Sequence, residues 1–244
     1  MAFLFVLVLG GCSPVLEEGD LVRLRLHSGD RITYAVLLPE AAIGSQELTM
    51  IMALPTGFEE ISDCIQDMNN FWRVLVHRHQ VGVVIPSSDT SGVFRRTKYA
   101  GFDFGAEEFV GPVMEDVERR YKLTNPWWVA ADIGGNGRRL VNVLREGGGG
   151  FRRGYLVTSF SFHPEFIEEA GSLDVDLSVV IGDRDMNIGE EQLAKSSPSN
   201  ISIDRTHLQS MSRVDQTRLG ALMAEYADYL AQEAIELQQK GVRP

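Results

Sequence analysis

Apolar residues in this chain come in short continuous runs, separated by stretches where they recur every three or four positions, the pattern of strands alternating with helices. Val22, Leu24 and Leu26 alternate with Arg23 and Arg25, Ser28-Gly29-Asp30 offers a turn, and Arg31 to Leu38 returns, so this segment reads as a hairpin. Leu48 to Leu54 has the length and continuity of a buried parallel strand, ended by Pro55. From Ile61 to about His79 the residues Ile65, Met68, Phe71, Trp72, Leu75 and Val76 recur at helical spacing, and Val81 to Ile85 reads as the next strand, closed by Pro86. Ser87 to Gly105 reads as a long loop containing Tyr99, Phe102 and Phe104. Phe109 to Tyr121 is predicted as an amphipathic helix with Val113, Val117 and Tyr121 inward, Glu115, Glu118 and Arg119 outward, and Pro112 in its first turn. Trp127 to Ala131 reads as a short buried strand, and Leu140, Val143 and Leu144 share one face of a helix starting near Asn136. Strands at Gly154 to Thr158, Leu177 to Ile181 and Ile201 to Ile203 follow, with a long amphipathic helix from about Val214 to Leu237. The alternation predicts an α/β protein with a mostly parallel sheet and helices on both faces.

Composition adds limits to this picture. The 244 residues suffice for one large domain with a sizeable core, and no break in composition argues for two. A formal net charge of -11 opposes nucleic-acid binding and leaves a neutral or cationic small molecule easier to accommodate. At the amino end, the apolar run from Ala2 to Cys12 is too short to span a bilayer and reads as a signal-peptide core, although the usual basic residues before it are missing. Leu9-Gly10-Gly11-Cys12 resembles a bacterial lipobox, which makes Cys12 the expected lipidation site and the cell envelope the expected location. The alternative for this stretch is an ordinary first strand. Residues 1–12 are therefore assigned to the leader, 13–20 to a linker and 21–244 to the domain. With Cys12 lipidated, Cys64 has no partner, so neither a disulfide nor a cysteine metal site is expected.

The candidate chemistry centres on Ala130-Ala131-Asp132-Ile133-Gly134-Gly135. A strand turning abruptly into a helix through small residues resembles the nucleophile elbow of the α/β hydrolases, and Asp132 occupies its raised position. From Glu107 through Gly135 the likeness is to the small lidless esterases of the polyhydroxybutyrate depolymerase and feruloyl esterase type, which carry Ser there. Gly182-x-x-Asp185 resembles the family's acid loop, with Asp183 as a competing candidate, and His207 follows a strand in the place of the catalytic histidine. The resemblance implies an α/β-hydrolase fold, no cofactor and no metal, and a triad of Asp132, Asp185 and His207 acting on an ester-like or related small substrate. Asp132 would attack carbon as an already ionised carboxylate, His207 would activate water, and Asp185 would orient His207. Backbone N–H groups of Ile133 and of one residue among Thr56, Gly57 and Phe58 would form the oxyanion hole.

Other readings stand beside this one. Asp132 is also suited to capping the helix that follows it, within a catalytically inactive homologue that binds a ligand or protein in the envelope. Asp183 and Asp185 suit turns, and His207 alone suits a surface position. His163 reads as a loop residue near the pocket, and His77 with His79 as a solvated helix end rather than a metal pair. Gly134 to Gly137 matches neither the dinucleotide fingerprint nor a P-loop with its lysine. Asn136, Arg138 and Arg139 stand where the family packs small and apolar residues beneath the sheet, and the segment Ser159 to Asp176 is too short for the cap domain of Asp-nucleophile enzymes.

Overall fold

A computed structural model describes residues 20–27, 31–40, 47–54, 72–86, 106–134, 137–157, 164–183, 198–209 and 216–240. Eight strands form one sheet: β1 (Asp20–Arg25), β2 (Arg31–Leu37), β3 (Thr49–Leu54), β4 (Gly82–Pro86), β5 (Trp127–Ile133), β6 (Phe151–Val157), β7 (Asp176–Asp183) and β8 (Ile201–Gln209). Their spatial order is β1-β2-β4-β3-β5-β6-β7-β8. The β1–β2 and β2–β4 pairs are antiparallel, and every pair from β4 to β8 is parallel, so the α/β expectation holds. Five helices are described: α1 (Arg73–His79), α2 (Ala106–Tyr121), α3 (Arg138–Glu146), α4 (Pro164–Gly171) and α5 (Gln216–Gln239).

Continuous apolar strands fit here because both faces are covered. Trp128 and Ala130 of β5 pack with Phe109, Val113 and Val117 of α2 and with Leu140, Val143 and Leu144 of α3. The alternate residues Val129, Ala131 and Ile133 pack with Leu75 and Val76 of α1 and with Leu222, Tyr226 and Leu230 of α5. This period of two in the strand, set against the helical period on each side, fixes which way every β5 side chain points.

Several predicted boundaries move. Pro112 lies in the second turn of α2, since the helix begins at Ala106. Pro86 is the last residue of β4, paired with Tyr34 on β2, rather than a stop after the strand. β5 continues through Asp132 and Ile133, and α3 begins at Arg138 after Gly137. β8 extends from Ile203 through Gln209, so His207 lies within a strand and not after one. The last three strands lengthen because parallel neighbours supply the ladder partners that local hydrophobicity does not show. The leader, linker residues 13–19, the helix start near Ile61 and the long loop at Ser87 to Gly105 lie outside the described residues, whereas Asp20, assigned to the linker, opens β1 opposite Val36. Among the described residues no helix is long and apolar enough to cross a membrane.

Candidate active site

Open α/β sheets place ligands beyond the carboxyl ends of their strands. Asp132, Asp183 and His207 all fall in the last residues of their strands at that edge. Asp185, Thr56, Gly57, Phe58 and His163 lie outside the described residues, as do Cys12 and Cys64.

Asp132 is the penultimate residue of β5, paired laterally with Leu54 and Leu156. By parity with Trp128 and Ala130 its side chain faces the α2 and α3 layer, and it is 0% exposed. Arg139, in the first turn of α3 and 11% exposed, donates from Nη2 to Asp132 Oδ1 at 3.0 Å. The backbone N–H of Gly137 also donates to this carboxylate. Oδ2 is buried with no hydrogen-bond partner among the described residues. Burial pushes the Asp132 pKa up, and the charge and hydrogen bonds of Arg139 and the Gly137 N–H offset this incompletely. α3 starts from Gly137, which has no side chain to cap it, and Asp132 meets the helix start through the Gly137 N–H and the Arg139 side chain.

The left-handed turn expected of an elbow falls two residues further on. Gly134 has φ 81°, and its N–H still donates to Val157 O at 2.8 Å, continuing the β5–β6 ladder. Gly137 follows with φ 85°. Both are glycines because L residues pay sterically in this region. Asp132 itself is extended strand, and Ile133, the expected oxyanion donor, has its side chain buried on the α1 and α5 face.

His207 is exposed. Register shows how β8 carries it: Ile181 pairs with Arg205 and Asp183 with Gln209, so Thr206, His207 and Leu208 together oppose Gly182. This is a bulge, in which the Leu208 N–H donates to Thr206 Oγ1 at 3.3 Å. The bulge brings His207 level with Gly182, near the end of β7. β6 and β7 separate β8 from β5, however, and three strand spacings amount to roughly 14 Å. The described residues therefore bring Asp132 to Arg139, not to His207.

Sequence reasoning missed two other charged groups. Asp116 on α2 is buried, accepting the Tyr34 hydroxyl at 2.5 Å, Arg120 Nη2 at 3.0 Å and Arg119. The (i, i+3) and (i, i+4) arginines were the signal. His79 is not a solvated end: its Nε2 meets Asp228 Oδ1 at 2.8 Å beside Arg78, which ties α1 to α5. Among the described residues no group of three or more His, Cys, Asp or Glu could hold a metal ion.

No family model matches the sequence. A search of curated proteins finds no match either. Solved structures do match, three of them over more than nine-tenths of their own length. The S-formylglutathione hydrolase of Agrobacterium tumefaciens aligns with a TM-score of 0.59 at 12% identity, over 87% of this chain and 94% of that one. An esterase of Pyrococcus furiosus gives 0.58 at 10% identity, over 90% and 92%. The thioesterase domain from the curacin biosynthetic pathway gives 0.55 at 10% identity, over 89% and 99%. With the strand order above, these likenesses show the α/β-hydrolase fold.

Proposed function

We propose that this chain is a hydrolase-like protein whose carboxyl-edge site binds a small ligand or a partner protein without using Asp132 as a nucleophile. The observation that carries this reading is the Asp132–Arg139 pair. A nucleophilic carboxylate must face the substrate, whereas this one is fully buried in the layer beneath the sheet, on extended backbone, with Oδ1 held by Arg139. A glycine occupies the left-handed turn where a raised side chain would stand. Arg138 and Arg139 in place of small residues fit the same drift from catalysis. The resemblance of Cys12 to a lipidation site makes an envelope lipoprotein the matching proposal for its location.

A second reading, hydrolysis of an ester-like substrate through Asp132, Asp185 and His207, is supported by the order of these residues along the strands and by the esterases among the fold's neighbours. It requires Asp132 to leave Arg139. Turnover of short acyl esters, epoxides and haloacids by the full chain separates the two, with Asp132→Asn and His207→Ala as controls. The first reading expects the native chain to match both variants on every substrate. Turnover abolished by both substitutions would establish the second.

A further inference from the structure

The opposite face of the sheet carries a polar cluster that the carboxyl-edge site does not use. Tyr155 on β6, Ser178 on β7 and Ser202 on β8 stand in register across three strands, so their side chains share one face. That face is the one α5 covers, since Tyr155 packs with Leu222, Tyr226 and Leu230. Arg153, two residues before Tyr155, donates from Nε to Ser178 Oγ at 2.9 Å and from Nη2 to Ser202 Oγ at 3.3 Å. Asp204 follows Ser202 by two residues on β8. One flank of α5 turns toward α1 through Asp228. The other flank, toward β6–β8, carries the half-buried Tyr229 and Glu233, one helical turn apart.

Two features of this polar face lack an internal explanation. The Tyr155 hydroxyl is buried, in a residue 1% exposed, with no hydrogen-bond partner among the described residues, a state that native structures rarely leave unfilled. Asp204 and Glu233 add two negative charges against the single charge of Arg153, which donates to Ser178 and Ser202. Burial raises the Tyr155 pKa and, with Glu236 and Asp204, that of Glu233; Arg153 opposes both shifts, and Lys240 opposes that of Glu233 more than Arg153 does.

We propose that the polar face of β6–β8 beside α5 binds a small alkylammonium ion, with Asp204 and Glu233 balancing its charge and the Tyr155 oxygen accepting one of its N–H groups. The acceptors are all oxygen, the charge deficit is one unit, and an ammonium brings one positive charge and three donors. The half-buried Tyr229, one helical turn before Glu233, adds an aromatic ring, which favours an alkylated cation over a fully hydrated inorganic one. The net charge of -11 draws cations toward the surface.

The test is calorimetric titration of the full chain with ethylammonium chloride, compared with sodium and potassium chloride at the same ionic strength. Saturable binding of ethylammonium is expected, with no matching response to the alkali salts. Glu233→Gln and Asp204→Asn should each weaken it roughly tenfold or more, and Tyr155→Phe should weaken it measurably. Thermal melts of each variant confirm that its fold is intact, and Glu233→Gln, isosteric on a half-exposed helix flank, keeps the test readable if Tyr155→Phe unfolds. Absence of saturable binding, an equal response to potassium, or unchanged affinity in both carboxylate variants would overturn the proposal. Turnover at the carboxyl edge has no bearing on it, so the two readings fail separately.

Discussion

Two buried aspartates show how environment decides what a carboxylate does. Asp116 has three donors, so although burial raises its pKa, the hydrogen bonds from Tyr34, Arg120 and Arg119 prevail and hold it below its ordinary value. Asp132 has fewer, and burial prevails. Removing the Asp132 side chain takes one carboxylate from the largely buried Arg139 guanidinium, so Asp132→Ala should destabilise the fold by about 1–3 kcal/mol in urea unfolding. Arg139→Met strips away the main group that favours the ionised form of Asp132 and should raise its pKa further. A folded-state pKa above the unfolded one contributes stability below the unfolded value, and that contribution is lost as pH rises through the folded one. Arg139→Met should consequently lose more stability relative to the native chain at about pH 8 than at about pH 5, and equal losses would argue against a charged Asp132. His207→Ala, at an exposed position, should change stability by no more than about 0.5 kcal/mol.

Among the elements, β5 and β8 departed most from the expected boundaries. The apolar run of β5 stops at Ala131, yet the ladder with β6 continues through Gly134, because backbone pairing does not depend on what the side chain at Asp132 is. β8 is an edge strand whose residues are mostly half-buried or exposed, so little hydrophobic patterning marks it beyond Ile203. Tertiary contacts hold its two ends. At one end, Asn200 donates to the carbonyls of Ala170 and Leu173 at 2.9 and 3.0 Å and to that of Val175 at 3.3 Å, tying the end of α4 and the start of β7 to β8. Asn200→Ala leaves these acceptors without their donor and should cost about 1–3 kcal/mol. At the other end, a Cβ on Gly182 would stand 2.3 Å from the Tyr226 hydroxyl and 3.1 Å from the carbonyls of Leu208 and Gln209. Gly182→Ala should displace Tyr226 from its 3.1 Å bond to Gln209 O and destabilise the bulge by about 1–3 kcal/mol, visible as a lower Tm.

At the scale of the whole molecule, paired acids govern the acid limb of stability. Asp116 and Asp228 both have folded pKa values below 3.8, the net result of donors outweighing burial. Their contribution is present above the unfolded value and lost as pH falls through the folded ones. Replacing Asp116 with Asn should lower stability at neutral pH and flatten its decline below about pH 4 in unfolding curves. What the sequence by itself determined was the succession of strands and helices, the mixed hairpin-then-parallel order and the inward faces of α2 and α3, because periods of two and of three to four residues are local properties of a chain. Tertiary structure alone decided where the charges went. Asp132 and Arg139 are seven residues apart across a turn, and whether the aspartate rises above the sheet or turns beneath it depends on where β6 stops extending the ladder. The grouping of Arg153, Tyr155, Asp204 and Glu233 draws on three elements spread over about 80 residues, a proximity created only when β6, β8 and α5 pack together.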